Sequence, residues 1–266
     1  MARQNRIHIV GLGPRTGSTL LTEASIACFE IEEATSHEDR IFTKTRLPEG
    51  TYLTKANLDI LIAQMFLEAN PNLHIMCMMR DPRDAIVSKH RKTPDRYWAG
   101  LRYWKTYLPY WRQVKDHPRF LTIRYEDLVT DPDAVQKEIE THIPYLKRTA
   151  PFSRYHEVTK PSIKSMRALN GVRAISSKSV GNWRNHLPRV ASQLQIHGSI
   201  TDDLIEFGYE DDDSWLQALV NIQPDRSRSY WPERFTKLGI LKYRFPGIRA
   251  IAAMRLRRWL TRDSAG

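Results

Sequence analysis

The stretch GPRTGSTLL at residues 13–21 has the composition of an anion-binding loop. It follows RIHIVGL, an alternating apolar run typical of a buried strand, and leads into LLTEASIACFE, whose apolar spacing is typical of a helix. A helix N-terminus presents unpaired backbone N–H groups and the positive end of the helix dipole, so it binds an anion readily. The layout of strand, loop and helix therefore predicts a phosphate-type site, with a ligand-free tight turn as the alternative.

Neither familiar nucleotide loop accounts for this stretch. The nucleotide P-loop needs a Lys directly after its second Gly, whereas Gly17 is followed by Ser18. The dinucleotide fingerprint begins well at Gly11, but its third Gly position holds Thr16. The sequence thus predicts a P-loop-like turn whose fixed positive charge is Arg15, before the Gly.

A second group of polar residues, in MMRDPRDAIVSKH, has the pattern of another anion site. Arg80 ends a strand, Asp81 is placed to cap the next helix, and Pro82 is placed at its first position. In a helix over 82–92, Ser88 would lie about two turns in, with Lys92 one turn further on the same face. Two anion sites at neighbouring strand ends predict a ligand with two separated phosphate-type groups.

Strand and helix patterns alternate along the chain. The strand candidates are Arg6–Gly13, Thr51–Thr54, Leu73–Met79 and Phe120–Tyr125. The helix candidates that follow them are Gly17–Phe29, Asn57–Ala69, Pro82–Lys92 and Pro132–His142. This alternation predicts an α/β fold with a central, mainly parallel sheet and ligands at the carboxyl ends of its strands.

The length and hydropathy of the chain limit the classes of protein to which it can belong. With 266 residues and 41% hydrophobic content, the chain can bury a full core, and we interpret it as a catalytic domain at 1–225 followed by a tail at 226–266. No apolar run has the length of a bilayer span, and the first strand begins about six residues after Met1. These features predict a cytoplasmic protein.

The charge distribution argues against a nucleic-acid partner, and the positions of the Cys and His residues argue against a bound metal ion. Residues 226–266 hold 11 Lys and Arg against 2 Asp and Glu, so nine of the eleven net positive charges lie in the tail. The nearly neutral catalytic domain argues against nucleic-acid binding. Cys28 and Cys77 stand in apolar surroundings, and the nine His lack a metal-ligand spacing, so we expect two core cysteines and no metal site.

The tail contains a candidate amphipathic helix, GIRAIAAMRLRRWLTRD, after Pro246, which we expect to break any helix that precedes it. One face would carry Ile248, Ile251, Ala252, Leu256, Trp259 and Leu260. The flanks would carry Arg249, Arg257, Arg258 and Arg262. This composition predicts peripheral contact with an anionic membrane, with docking on the protein's own core as the alternative.

The two anion motifs, with two later segments in the same order, resemble the sulfotransferases that use 3′-phosphoadenosine 5′-phosphosulfate (PAPS). The loop at 13–21 is similar to their 5′-phosphosulfate loop, and residues 80–88 are similar to their 3′-phosphate motif, with its Arg and Ser eight apart. RYEDLVTDP at 124–132 and SVGNWRNHLP at 179–188 also match. The resemblance covers roughly residues 6–210, and four motifs in the right order carry it.

The last of these segments distinguishes branches of the family. Cytosolic small-molecule sulfotransferases have a basic-basic-Gly triplet where this chain has Ser176, Ser177 and Lys178. The loop is more similar to that of carbohydrate, tyrosylprotein and bacterial sulfotransferases. This resemblance implies contacts of Lys178, Ser179 and Arg184 with the 3′-phosphate region, and it fits a bacterial enzyme.

The resemblance implies a P-loop-like three-layer αβα sandwich that moves a sulfuryl group from PAPS to an acceptor hydroxyl or amine. Arg15 would hold the bridging and 5′-phosphate oxygens. The backbone N–H groups and hydroxyls that would cradle the 5′-phosphate belong to Thr16, Gly17, Ser18, Thr19 and Leu20. A sulfuryl group carries less charge than a γ-phosphate, so no Mg²⁺ is needed to screen it.

The resemblance also implies that Arg80, Ser88 and Lys92 bind the 3′-phosphate and that Tyr125 faces the nucleotide. For Arg80 the alternative is a helix-end ion pair with Asp84. For Tyr125 the alternative is a core position with its hydroxyl on a backbone partner.

The catalytic base has no clear family match. The cytosolic branch uses a His two residues after a Lys, but here Lys55 is followed by Ala56 and Asn57. Other branches place a Glu about twenty residues past the loop Arg, where this chain reads Ser-His-Glu-Asp at 36–39. We therefore expect Glu38 as the base, His37 as second candidate and Lys55 as stabiliser of the bridging oxygen. A solvated turn is the alternative for 36–39.

The acceptor is indicated only by composition. The segment DRYWAGLRYWKTYLPYW at 95–111 concentrates aromatic and basic residues at near-helical spacing. Part of it must be core, but aromatic rings stack on sugar faces, which favours a saccharide or glycolipid acceptor. Two other functions remain open, a nucleotide or small-molecule kinase and a non-catalytic nucleotide-binding module at a membrane, and so does the oligomeric state.

Overall fold

The computed structural model of the chain describes residues 4–45, 47–90 and 93–263. The strands are β1 (Gln4–Gly11), β2 (Glu33–Ala34), β3 (Gly50–Lys55), β4 (Leu73–Met79), β5 (Lys89–His90), β6 (Thr93–Tyr97) and β7 (Phe120–Arg124). The α-helices are α1 (Ser18–Cys28), α2 (Ala63–Ala69), α3 (Pro82–Ile86), α4 (Arg102–Val114), α5 (Tyr125–Thr130), α6 (Pro132–His142), α7 (Tyr155–Val158), α8 (Ile163–Leu169), α9 (Leu187–His197), α10 (Thr201–Glu206) and α11 (Lys237–Asp263). Short 3₁₀ turns lie at 57–62, 152–154, 182–186 and 214–219.

Five strands form the main sheet in the order β2-β3-β1-β4-β7, and every ladder in it is parallel. The central strand is β1, where Ile7 pairs with Leu53 of β3 and with His74 of β4. The four strands expected from the sequence begin and end within two residues of the observed bounds. Their apolar runs are long enough to be recognised because a parallel sheet is buried on both faces.

Two helical layers cover the sheet. From β1, Ile7 and Ile9 pack with α1 and α6 on one face, whereas Val10 packs with α2 and α4 on the other. The two free cysteines, Cys28 and Cys77, are both buried in these layers. The structure confirms the predicted α/β fold, a three-layer sandwich around a parallel sheet.

Two predicted helices differ from the observed ones. The helix expected over 82–92 ends at Ile86, because the next residues leave it to pair β5 with β6. Ser88 therefore lies in the connection between α3 and β5, where its carbonyl accepts from the N–H of Trp98 at 2.7 Å. The helix expected over 57–69 is a 3₁₀ turn at 57–62 followed by α2.

The break expected at Pro246 is wrong, because α11 runs through this residue as one helix of 27 residues. A proline inside a helix removes one hydrogen bond, so packing must offset the loss. Gly247 lies so close to the 3₁₀ turn that an added Cβ would stand 2.6 Å from Cδ1 of Ile62. Next to Pro246, α11 is therefore packed closely against the body of the protein.

The single apolar face expected for the tail helix is also wrong. Ile251 is buried against the core, whereas Ile248, Ala252 and Leu256 are exposed on another side of α11. The side chains of Trp259, Leu260, Arg257, Arg258 and Arg262 lie outside the described part of the structure. Among the described residues, no helix is both long enough and apolar enough to cross a bilayer.

Candidate functional site

The loop between β1 and α1 is held in an unusual backbone conformation. Gly13 has φ 127°, Arg15 has φ 67° and Gly17 has φ 93°, all in the region that favours glycine. A Cβ on Gly17 would lie 2.5 Å from Cδ2 of Tyr125, so both backbone and space require glycine there. Arg15 has a left-handed backbone conformation and lies between two such glycines. Local backbone strain of this kind clusters at binding sites.

The first turn of α1 is open towards this loop. Gly17 caps the helix without any side-chain hydrogen bond, so the first N–H groups point to the loop without a capping partner. Two bonds fix the loop itself, because the carbonyl of Gly13 accepts from Asn57 Nδ2 at 3.0 Å and from Thr16 Oγ1 at 3.1 Å. This geometry is the one that an anion site at a helix N-terminus requires.

Lys55 connects this loop with the predicted base. It ends β3, the strand beside β1, and is 1% exposed. Its Nζ donates to Thr19 Oγ1 at 3.3 Å and to Glu38 Oε1 at 3.2 Å. Burial lowers the pKa of Lys55, and the neighbouring carboxylate of Glu38 opposes this shift. The structure thus brings three of the predicted residues together at one point.

Glu23 is a buried carboxyl group that the sequence did not single out. It lies on α1, one turn after Thr19, and is 4% exposed. Burial raises the pKa of Glu23, while a hydrogen bond with Ser165 and the charge of Lys55 act in the opposite direction. The spacing of four residues from Thr19 was the one signal in the sequence that could have placed Glu23 near the loop.

His37, the second candidate for the base, contacts a serine of α8. Its Nδ1 lies 3.2 Å from Ser165 Oγ of α8, the same hydroxyl that bonds to Glu23. Burial lowers the pKa of His37, the charge of Lys55 lowers it further, and Glu38 raises it. A network that joins α1, α8 and the loop at 36–39 therefore surrounds Lys55.

Arg80 links the second predicted anion site to the first. Its Nη1 donates to the carbonyl of Arg15 at 3.1 Å, and its Nη2 donates to the carbonyl of Ser179 at 2.7 Å. The guanidinium lies 4.4 Å from the ring centroid of Tyr125, whose hydroxyl is 2.8 Å from Ser179 Oγ. Arg80 Nε is buried and has no hydrogen-bond partner among the described residues. One donor of this arginine is thus left without a protein partner among the described residues.

The alternative ion pair of Arg80 with Asp84 is present but long, at 3.9 Å. Asp84 accepts shorter bonds, of 2.8 Å each, from the backbone N–H groups of Gly181 and Trp183. Burial raises the pKa of Asp84, and the charge of Arg80 opposes the shift. Asp84 therefore mainly holds the loop at 179–184 against α3.

Ser88 reaches the site from the connection between α3 and β5, and its Oγ accepts from Arg15 Nε at 2.8 Å. Lys92 lies outside the described residues. Lys178 is exposed, and Arg184 lies over the ring of Trp183 at 4.5 Å. Among the described hydrogen bonds and ion pairs, neither of these two side chains reaches Arg80.

A cleft opens beside the anion-binding loop, between it and the start of α4. Its lining includes Pro14, Thr16, Arg80, Ile86, Gly100 and Tyr103. The aromatic segment behind it is divided as expected, since Trp104, Tyr107 and Trp111 are core residues and Tyr103 is only partly buried. Within the described residues, no three His, Cys, Asp or Glu side chains stand close enough to hold a metal ion.

Three solved structures that are similar to this chain are distant from it in sequence. The mouse sulfotransferase SULT7A1 complexed with PAP is 17% identical, with 82% of this chain and 89% of that chain covered and a TM-score of 0.48. The sulfotransferase domain of the Synechococcus PCC 7002 olefin synthase is 15% identical over 69% and 88% of the two chains, with a TM-score of 0.41. The sulfotransferase domain from the curacin biosynthetic pathway is 12% identical over 91% and 98%, with a TM-score of 0.35.

No curated protein matches the chain significantly. The family model described as "Sulfotransferase domain" matches residues 6–198, nearly three-quarters of the chain. This range contains the loop between β1 and α1, Lys55, Arg80 and the loop at 179–184. The chain therefore belongs to the sulfotransferase family, and it is an enzyme of that family.

Proposed function

We propose that the chain transfers a sulfuryl group from PAPS to an acceptor hydroxyl on a saccharide or glycolipid, as an enzyme of the bacterial, carbohydrate and tyrosylprotein-like branch. The observation that carries the proposal is Arg80, which donates to the loop of Arg15 and to the loop of Ser179 and so links the two proposed anion sites. PAPS has a 5′-phosphosulfate and a 3′-phosphate, which suit the open N-terminus of α1 and the positive charge of Arg80 between the loops of Arg15 and Ser179.

The residues that would hold the 5′ end are Arg15 and the first turn of α1, with the N–H groups and hydroxyls of residues 16–20. Arg80, Ser88 and Lys92 would bind the 3′-phosphate, and Tyr125 would face the nucleotide. Lys178, Ser179 and Arg184 lie on the loop that would cover it. When bound, PAPS supplies the sulfuryl group and leaves as a bisphosphate.

The surroundings of Lys55 support an in-line transfer. Its buried Nζ, held between Thr19 and Glu38, places a positive charge beside the loop, where the leaving group would gain negative charge. Glu38 is 56% exposed in its side chain, so it can accept a proton from an incoming hydroxyl. His37 is the second candidate for this role. Because a sulfuryl group carries little charge, we propose that no metal is required.

The acceptor class is supported by the aromatic surface near the cleft. The ring of Trp98 stacks on Tyr230, with centroids 6.2 Å apart and planes at 24°. Arg102 lies over the ring of Tyr103, close to the loop at Gly13. Partly exposed rings beside cationic groups suit a sugar face with an anionic substituent.

We also propose a cytoplasmic location with peripheral membrane contact through α11, without a nucleic-acid partner. The support is the concentration of positive charge in residues 226–266 rather than on the catalytic domain.

Two measurements test the proposal. Adenosine 3′,5′-bisphosphate (PAP) should raise the melting temperature strongly and ATP weakly, since a ligand stabilises the state that binds it. Transfer of labelled sulfate from PAPS to a panel of sugars, glycolipids and phenols should then identify the acceptor. Stronger stabilisation by ATP with Mg²⁺ would favour a kinase, and nucleotide binding without any transfer would favour a non-catalytic module.

A further inference from the structure

One side of α11 carries a continuous row of exposed apolar side chains, here called the outer stripe. Its members are three or four residues apart, so they lie along one face of the helix. The outer stripe consists of Leu238, Leu241, Phe245, Ile248, Ala252 and Leu256. Leu238 is 76% exposed, and Leu241 and Phe245 are each 54% exposed. A continuous row of large, exposed apolar side chains indicates a contact surface, whereas exposed apolar side chains that are scattered singly do not.

The opposite side of α11 is already occupied by the protein. Ile240, Ile251 and Met254 pack against the core on the α2 side of the sheet, and Gly247 lies against Ile62. Two further contacts hold the helix, because Arg40 Nη2 donates to the carbonyl of Tyr243 at 3.2 Å and Arg244 lies 5.3 Å from the ring of Tyr110. The outer stripe therefore cannot turn inward to bury itself.

Basic residues flank the outer stripe on both sides. At helical spacing, Lys242 and Arg249 lie along one edge, and Lys237 and Arg255 lie along the other. From Lys237 to Arg262 the sequence contains no Asp or Glu. A partner surface that covers the outer stripe must therefore be apolar where it meets the stripe and negatively charged where it meets the two basic edges.

A second copy of this chain does not meet that requirement. A symmetric dimer through the stripe would bring the same basic edges of two helices towards each other. Like charges brought close together repel, and residues 237–262 of the helix contain no Asp or Glu to compensate them. The surface of a membrane that contains anionic lipids offers acyl chains for the stripe and negative headgroups for both edges.

We propose that the outer stripe of α11 inserts into the surface of a membrane that contains anionic lipids, with the helix axis in the plane of the bilayer. The inference deepens the proposed function and, for the acceptor, rests on it. Arg40 stands two residues after Glu38 and donates its Nε to Asp59 at 2.5 Å as well as binding α11. The docked helix is thus joined to the loop of the proposed base, so a glycolipid headgroup would meet the site from the membrane side.

The test is co-sedimentation of the full chain with vesicles of phosphatidylcholine alone and of phosphatidylcholine mixed equally with phosphatidylglycerol. We expect binding to the mixed vesicles at low salt and its loss at high salt. The variant Leu241→Glu/Phe245→Glu should lose binding, whereas Val220→Glu, which adds a charge at a site 64% exposed elsewhere, should keep it. The variant Lys242→Gln/Arg249→Gln removes the two positive charges of one edge. It should weaken partitioning of the protein onto the mixed vesicles about 30-fold.

Stabilisation by PAP, measured on the same variants, separates this inference from the proposed function. All of them should keep the wild-type shift in melting temperature, because none of the changed side chains lies at the nucleotide site. Absence of wild-type binding to the mixed vesicles at low salt, or equal binding by the Leu241→Glu/Phe245→Glu variant, would overturn the inference. So would sedimentation velocity that shows a dimer which this double variant dissociates.

Discussion

Lys55 shows how one buried charge depends on its neighbours. Its side chain is almost completely buried, and its ammonium group bonds to the hydroxyl of Thr19 and the carboxylate of Glu38. A buried cation is tolerated only when paired, so Glu38 is fixed close to the loop although most of its side chain is open to solvent. This combination suits a group that must meet an incoming hydroxyl.

We predict that Glu38→Gln lowers kcat about 10²- to 10⁴-fold, because the amide keeps the hydrogen bond but cannot accept the proton. Steady-state turnover with labelled PAPS measures it. PAP should still raise the melting temperature as in the wild type. Asp39→Asn is the matched control, since it removes a neighbouring charge whose side chain does not contact Lys55. Normal turnover by Glu38→Gln would transfer the role to His37.

Glu23 is predicted to position and tune Lys55 rather than to react. In Glu23→Gln the amide can still bond to Ser165, but Lys55 loses a negative neighbour, so the pKa of Lys55 falls further. The alkaline limb of the kcat–pH profile should then move about one unit lower. Glu23→Asp, which keeps the charge, should restore much of the profile. An unchanged profile in Glu23→Gln would leave Glu23 with a packing role alone.

The site residues that belong to local sequence motifs could be predicted from the sequence. Arg15, Arg80, Tyr125 and Ser179 all come together as the four segments implied. Ser165 could not be placed, because its contact with His37 spans 128 residues and depends on how α8 folds back. Long-range pairs of this kind leave no periodic signal in the sequence.

At the scale of elements, buried strands were easier to predict than the ends of helices. β4 was bounded correctly, because an apolar run covered on both faces stops where burial stops. The end of α3 depends instead on a hairpin, β5 with β6, that competes for the backbone after Ile86. The tail helix has apolar residues on two sides, so its sequence could not tell which side faces the core.

Glu233 ties the segment before α11 to α9, although the proposed domain boundary at 225 assigns it to the tail. Burial alone would raise the pKa of Glu233, but hydrogen bonds from His197 and Ser229 and the charge of Arg189 outweigh it and lower the pKa to about 2. A carboxyl whose folded pKa lies below its unfolded value stabilises the fold above the unfolded pKa. Its contribution is lost as the pH falls towards about 2.

We therefore predict that Glu233→Gln destabilises the fold at neutral pH by about 1–3 kcal/mol. The difference from wild type should shrink steadily below the ordinary carboxyl pKa, as both proteins approach the protonated state. Urea denaturation at a series of pH values measures it. Glu49→Gln, at an exposed position, should show no such pH dependence. A constant difference at all pH values would contradict the assignment.

At the scale of the whole molecule, Arg80 joins parts of the chain that lie far apart in sequence. It connects β4 to the loop of Arg15 and, 99 residues later, to Ser179. Hydrogen bonds to charged groups are worth about 1.5–3 kcal/mol each, so losing this arginine affects both ligand and loop.

We predict that Arg80→Ala weakens PAP binding about 100-fold, measured by calorimetry. It should also release the loop at 179–184, so trypsin should cut faster after the exposed Lys178. Arg80→Lys should recover little, because an ammonium group cannot bridge two carbonyls in the same geometry. The exposed Arg96→Ala serves as control. Unchanged cleavage with weakened binding would confine Arg80 to the ligand.

The central position of β1 also governs how the chain can be made. β1 leaves the ribosome before both strands that it pairs with, β3, about forty residues later, and β4, which ends at Met79. Until both have emerged, Ile7 and Ile9 have no strand to lie between, and parallel pairing over such separations is slow. A nascent chain of this protein must therefore carry an exposed apolar edge through its early synthesis, a stage at which chaperones bind and truncated products aggregate.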